Sequence, residues 1–415
     1  MRIHRINVSI LMGVLVLTSI ISPGRTKPVC AGQAFALAFD YKEQFLRSNM
    51  IAEVGYYNDF PDQKDYSWRL KGYYKNLAMG SETIDGRDYF VDLNRLRLEL
   101  TGTWREMLSL RLIYDHEGLL GNYLHTDEFR QIKSAQDQDI LDLTWDINDG
   151  RDFFWRHTFY RGFLKYESER LNITLGRQRI AWGTGRFWNP TDIFNPFNPL
   201  QVERDERTGV DALNLEWFLG PLSSASLVYA PQTSSHMSKA AAKFKTTVSD
   251  VDLSLMGGKF RRDAVLGFDF SGTIKGGGIR GEGTFTFAHK RSDYARFVLS
   301  YDYAFRNTFY ILLEYFYNGG PFPQFNLIDF TRELATLKRN FLGSNLGYDI
   351  TPLLRADVYL IYDFDGSGIF IYPNLQYSIT SNTYVSLGAQ LFKNRKNSEF
   401  EFYKDLYFLQ LQYFF

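Results

Sequence analysis

The chain has 415 residues, 45% of them hydrophobic and 17% aromatic, with 47 Lys+Arg balanced by 47 Asp+Glu. A formal net charge of zero argues against nucleic acid as a partner, and a single cysteine excludes a disulfide framework. An aromatic content this high points to strands and to membrane-interface anchors, because Trp and Tyr favour the water–lipid boundary.

The first segment reads as a secretory signal peptide. Arg2, His4 and Arg5 supply positive charge, Ile6 to Ile21 is largely apolar, and Pro23, Gly24 and Pro28 break any helix. Val29-Cys30-Ala31 offers a small-residue cleavage site, so residues 1–31 are expected to be removed together with the only cysteine. An uncleaved anchor would need a longer apolar run, and a lipoprotein reading of Cys30 is opposed by the bulky Val29 before it. No later run of about 18 apolar residues exists, so no membrane-spanning helix is expected. In 32–65, Phe35, Leu37 and Phe39 alternate before a polar stretch. A periplasmic lead-in, a plug segment and an extra hairpin all remain open there.

From residue 66 onward, alternation with a period of two recurs. Leu96, Leu98, Leu100 and Trp104 share one face, while Arg95, Arg97, Glu99, Thr101 and Thr103 share the other. Leu266, Phe268 and Phe270 alternate with Gly267, Asp269 and Ser271, and Phe297, Leu299 and Tyr301 with Arg296, Ser300 and Asp302. A soluble sandwich also alternates. Here, however, the apolar bands end in Tyr and Trp, such as Trp104, Tyr114, Trp217, Tyr303 and Tyr362, as girdles at two lipid interfaces would. The spacing predicts strands at 66–79, 88–104, 107–117, 157–168, 170–181, 208–219, 222–231, 238–247 and 251–259. It continues at 263–272, 279–289, 294–305, 308–318, 340–350, 353–363, 368–379, 383–393 and 404–415. That is about 18 antiparallel strands, with 16 as the alternative, in a transmembrane β-barrel spanning 66–415. Tight turns alternate with long connections near 80–87, 118–156, 182–207, 232–237, 319–339 and 394–402, the pattern of short periplasmic turns and longer external loops.

The loop 182–207 is the most distinctive stretch. Three Asn-Pro pairs, including Asn189-Pro190 and Asn195-Pro196, start turns and forbid ladder pairing. Trp182, Phe187, Trp188 and Phe194 are too apolar for a freely solvated loop, and Arg186 and Asp192 lie among them. Glu203, Arg204, Asp205, Glu206 and Arg207 follow as adjacent opposite charges. Two placements are compatible: the loop folds into the barrel and constricts it, or it caps the rim against the loop 118–156. Gly176-Arg177-Gln178 followed by Trp182-Gly183 and the Asn-Pro-rich run resembles a porin-like outer-membrane barrel family of Gram-negative bacteria, distantly like alginate-export-type barrels. The resemblance covers the middle of the chain and implies a barrel that passes solutes, with no catalytic residue to carry over.

The alternation turns a set of charges inward: Arg97, Glu99, Arg111, Asp115, Asp269, Arg280, Glu282, Arg296, Asp302, Glu314, Arg355 and Asp357. A single charge facing lipid near the midplane costs about 2–4 kcal/mol for Arg or Lys, and less for Asp or Glu, which favours the lumen side. These residues either line a wet pore and set its selectivity or pair across strands in a filled lumen. Enzyme and metal signals are poor. The six histidines lack the H-E-x-x-H spacing, no G-x-S-x-G elbow exists, and Gly276-Gly277-Gly278 has no following Lys-Ser or Lys-Thr. No cofactor is expected.

Tyr407, Leu409, Leu411, Tyr413 and Phe415 alternate up to the last residue, a pattern that resembles the C-terminal signal read by the barrel assembly machinery. The sequence therefore predicts an outer-membrane channel for passive diffusion of small hydrophilic solutes, with outer-membrane lipid and that machinery as partners. A non-transport barrel for anchoring or adhesion and an outer-membrane hydrolase are the rival readings.

Overall fold

A computed structural model describes residues 65–134, 139–195, 199–200, 209–322 and 336–415. Residues 1–31, the expected signal peptide, and residues 32–64 lie outside the described residues.

The strands in chain order are β1 (Tyr66–Glu82), β2 (Asp88–Trp104), β3 (Leu108–Leu120), β4 (Thr144–Asp149), β5 (Phe153–Glu167), β6 (Leu171–Gln178), β7 (Val210–Gly220), β8 (Ser223–Ala230), β9 (Lys239–Val248) and β10 (Val251–Phe260). They continue as β11 (Asp263–Ile274), β12 (Gly277–Phe287), β13 (Tyr294–Ala304), β14 (Tyr310–Asn318), β15 (Asn340–Thr351), β16 (Leu354–Asp363), β17 (Ile369–Thr380), β18 (Thr383–Lys393) and β19 (Leu406–Phe414). Every neighbour pair is antiparallel, and β1 pairs with both β2 and β19, so the sheet closes on itself. Closure keeps the backbone hydrogen bonds inside the sheet, which a strand needs in lipid.

Each of the 18 expected strands has its counterpart in the ring, including the weakly alternating 238–247, which forms β9. The loop at 118–156 is more structured than expected. It holds a short 3₁₀ turn, Asn122–His125, a helix α1 (Asp127–Ser134) and the extra strand β4. β5 pairs with β6 over Gly162–Glu167, and the same edge pairs with β4 over Phe154–Thr158. β4 thus fills the place above β6, which is only 8 residues long and leaves the wall early.

The outer face is apolar. Leu255 is 65% exposed, Leu266 56% and Leu299 51%, and Tyr407, Leu409, Tyr413 and Phe415 of the final strand are likewise exposed. Alternate residues point inward and are buried. The inner face is less uniformly polar than the alternation suggested. On β14 to β19 its half nearer the long connections carries Phe316, Phe341, Tyr359, Phe370, Tyr372 and Phe392, all buried in one cluster. The reason is local: loops fold against this wall, and their apolar side chains need apolar partners.

Candidate functional site: the inward loop and the charged wall

The loop after β6 turns inward. Gly176, at φ 121°, lets β6 approach β5 closely, since a Cβ there would meet the Gly162 carbonyl. The loop then makes its own turns. The Asn189 amide donates to the Gly185 carbonyl at 2.7 Å, and the Asp192 amide N–H donates to the Asn189 carbonyl at 3.1 Å. The Asn195 side-chain oxygen accepts from the Ile180 amide at 2.8 Å and closes the base. Asx turns of this kind fix a path without a sheet.

Two glutamates hold the loop to the far wall. Glu314 on β14 accepts three successive backbone amides, from Arg186 at 2.6 Å, Phe187 at 2.7 Å and Trp188 at 2.9 Å. Glu282 on β12 accepts from the Thr184 amide at 3.2 Å and from the Thr191 hydroxyl. Both carboxylates are buried. Trp188 stacks on Phe316 at 5.1 Å between ring centroids, and Phe187 sits over Gly343 of β15, where a Cβ would come within 3 Å of the ring. β15 is the ninth strand round the ring from β6, as far as an 18-strand ring allows. Between those ends the loop follows the inner wall. Trp182, Ile193 and Phe194 pack on Val228, Ala241, Met256 and Val265 of β8 to β11. Lys243 donates to the Trp182 carbonyl and to Asp269, both at 2.7 Å, and Lys239 donates to the Phe194 carbonyl at 3.1 Å.

A second loop folds inward, which sequence reasoning missed. Phe400 and Tyr403, between β18 and β19, join the same cluster as Trp188 and Phe370. The Glu399 carboxylate accepts the Leu337 and Lys338 amides at 2.6 and 3.0 Å, and the Glu399 amide donates to Asp363 at 2.8 Å. Burial pushes the Glu399 carboxyl well above its ordinary range, and the neighbouring Asp363 adds to the rise. The available signal was the aromatic density of Phe400, Phe402 and Tyr403 in a loop, the same argument that singled out 182–207.

The opposite wall is charged. On β2 and β3, Arg97 forms a two-pronged ion pair with Asp115 and lies 4.0 Å from the Tyr160 ring centroid. Arg95 pairs with Glu117 at 2.5 Å, and Glu99 takes Arg111 at 3.0 Å and Lys71 at 3.3 Å. Further round, Arg280 pairs with Asp302, Arg355 with Asp357 at 2.8 Å and with Asp349 at 2.7 Å, and Arg296 donates to Asn318 at 2.9 Å. The inward charges thus pair laterally along the wall. Glu282 and Glu314 differ, because they accept hydrogen bonds from the loop. Of the loop residues singled out in the sequence, Trp182, Arg186, Phe187, Trp188, Asn189, Pro190, Asp192 and Asn195 come together here. Pro196, Glu203, Arg204, Asp205 and Arg207 lie outside the described residues. Among the described residues no group of three or more His, Cys, Asp or Glu could hold a metal ion.

No protein-family model matches the sequence, and no curated protein does. Solved structures do match the fold. The outer membrane protein OpdK of Pseudomonas aeruginosa superposes with a TM-score of 0.56 at 10% identity, covering 84% of this chain and 99% of its own. OccAB3 of Acinetobacter baumannii gives 0.54 at 9% identity, covering 84% and 99%. OccK11 (OpdR) of Pseudomonas aeruginosa gives 0.54 at 13% identity, covering 84% and 95%. The chain has the fold of these outer-membrane barrels, and its apolar outer belt suits it to the bacterial outer membrane.

Proposed function

We propose that the protein is a porin-like channel for passive diffusion of small hydrophilic solutes across the outer membrane, constricted by the loop between β6 and β7. The observation that carries this reading is the placement of that loop. It occupies half the inner wall of an 18-strand ring, a ring wide enough to leave an aqueous channel if nothing entered it. The remaining passage runs beside the charged wall of β1, β2 and β3, where Lys71, Arg95, Arg97, Glu99, Arg111 and Asp115 set the field a solute meets.

No catalytic step is proposed: among the described residues Arg97, Asp115, Asp269, Arg280, Asp302, Arg355 and Asp357 sit in ion pairs, and Glu282 and Glu314 hold the loop. Assembly by the barrel machinery is proposed on the alternation from Tyr407 to Phe415. The reading is tested by planar-bilayer recording under a salt gradient, with uptake of small neutral sugars by liposomes as a second readout. Stepwise conductance and sugar uptake are expected. A correctly folded barrel that passes neither contradicts the reading and leaves a structural or adhesive barrel.

A further inference from the structure

The outer wall of β3 and β5 carries two histidines where lipid-facing side chains are expected to be apolar. Leu108, Leu110, Leu112, Tyr114 and His116 share the outer face of β3, while Ile113 and Asp115 are buried on the inner one. On the lower part of β5 the exposed outer residues are Leu164 and Tyr166, the even-numbered positions. That parity alone would turn His157 into the lumen. A bulge prevents it. Ile113 pairs with Arg161 and Tyr114 with Phe159, so Tyr160 is the extra residue and every residue of β5 above it changes face. His157 thereby comes out directly opposite His116.

The two imidazoles meet edge to face, with ring centroids 4.6 Å apart and planes at 65°. With metal–nitrogen bonds of about 2.0 Å, two imidazoles at adjacent positions of one metal ion have centroids roughly 4.5–5 Å apart. The Nε2 of His157 is buried and has no hydrogen-bond partner, a condition that calls for a water or an ion. Its Nδ1 is hydrogen-bonded to the Tyr114 hydroxyl. With Nδ1–H as the donor, the lone pair stays on Nε2, the tautomer that a metal needs. His116 is half-buried, and among the described residues neither of its nitrogens is hydrogen-bonded. Trp155 touches both rings, at 5.0 and 5.4 Å, and Trp145 of β4 stacks on His157 at 5.9 Å.

The pair sits near the upper edge of the lipid belt. His116 pairs with Leu96 of β2, eight residues above Trp104 at the lower end. Eight residues span about 26 Å of strand. At a tilt of about 40° that is about 20 Å of membrane depth, against an apolar band of about 25 Å. Trp145 and Trp155 flank the pair as interface residues do, so dissolved ions reach this level.

We propose that His116 and His157 form a two-imidazole site for a divalent transition metal, Cu(II) in class, on the outer face of the barrel. Structural zinc sites take four protein ligands, which this face does not bring together. Cu(II) accepts a tetragonal set of nitrogen and oxygen donors and heads the affinity order of the divalent first-row metals, so two imidazoles completed by water suit it best. The site is independent of the channel reading.

The test is titration of copper(II) chloride into the untagged, heat-modifiable barrel in lipid vesicles. Pulsed electron paramagnetic resonance counts the imidazoles coupled to the copper, and the first equivalent is expected to show two. His116→Gln and His157→Gln should each reduce the count to one and weaken binding by about tenfold or more. The double variant His236→Gln, His289→Gln removes two histidines of the β8–β9 and β12–β13 connections and should leave the spectrum unchanged. Quenching of tryptophan fluorescence by the first equivalent, expected because Trp145 and Trp155 lie against the pair, gives a readout on the unsubstituted chain. Fewer than two coupled imidazoles in the unsubstituted barrel, a count that survives either single substitution, a count that falls in the His236, His289 variant instead, or absent quenching would each overturn the proposal.

Discussion

The Phe187 amide donates a 2.7 Å hydrogen bond to Glu314, although the two residues belong to parts of the wall eight strands apart in the ring. The Arg186 and Trp188 amides reach the same carboxylate, so one side chain satisfies three successive backbone donors of the loop. Backbone groups left buried without a partner cost about 1–3 kcal/mol each, and Glu314 removes that cost here. Glu314→Ala should therefore release the loop from β14 while leaving the ring closed. Single-channel recording should find a severalfold higher and noisier conductance. An unchanged conductance in the folded variant would mean that the loop does not depend on Glu314.

The two faces of β14 give a second check. Leu313 is on the outer face and exposed, while Glu314 is fully buried on the inner one. Leu313→Arg should cost about 2–4 kcal/mol if its side chain meets the lipid midplane. Glu314→Gln keeps a hydrogen-bonding carbonyl and should leave barrel stability nearly intact. Urea unfolding in lipid vesicles ranks the two, and the reverse ranking would place the strand one residue out of register.

At the seam, Phe415 and Gly72 exchange backbone hydrogen bonds of 3.0 and 2.9 Å. A Cβ at position 72 would come within 3 Å of the Phe415 ring, so the glycine makes room for it. Deleting Phe415 should lower the assembled fraction in cells and affect detergent refolding less. Normal surface assembly of the deletion would remove the targeting role of the terminus and leave only a seam contact.

Glu399 gives a pH dependence. Burial raises its carboxyl above the ordinary range, so the neutral form is the one that suits the folded loop. The resulting stabilisation is fully present below the ordinary carboxylate range and is lost as pH rises through the raised value. The connection between β18 and β19 should loosen over that interval, seen as increasing hydrogen exchange at Leu337 and Lys338. Glu399→Gln, neutral at every pH, should flatten the profile. A wild-type profile that survives the substitution would assign it to another group.

The strand register was legible because a barrel imposes one rule on every residue. Leu255 and Leu299 face outward and Asp269 and Ser300 inward, and a period of two records that difference directly. The loops obey no such rule. That Trp188 and Phe187 need burial could be read from their type, but the surface that buries them, Phe316 and Gly343, lies more than 120 residues away and shares no pattern with them. Glu314 reads in the sequence as one more inward charge. Its distinction is three backbone donors from another part of the chain, which composition and spacing do not encode. β4 was missed for a related reason. Its side chains run Thr144-Trp145-Asp146-Ile147-Asn148-Asp149, mostly exposed, and it pairs only along the free upper edge of β5.

The most direct test of the account is the conductance of a barrel without the loop. Residues 184–200 are removed, the gap is closed with Gly and Ser, and heat-modifiability on a detergent gel confirms the barrel. Planar-bilayer recording should then give a higher conductance than the full chain, with a weaker reversal potential under a salt gradient. The same conductance and selectivity in the folded deletion would contradict the constriction and return the loop to a purely structural part.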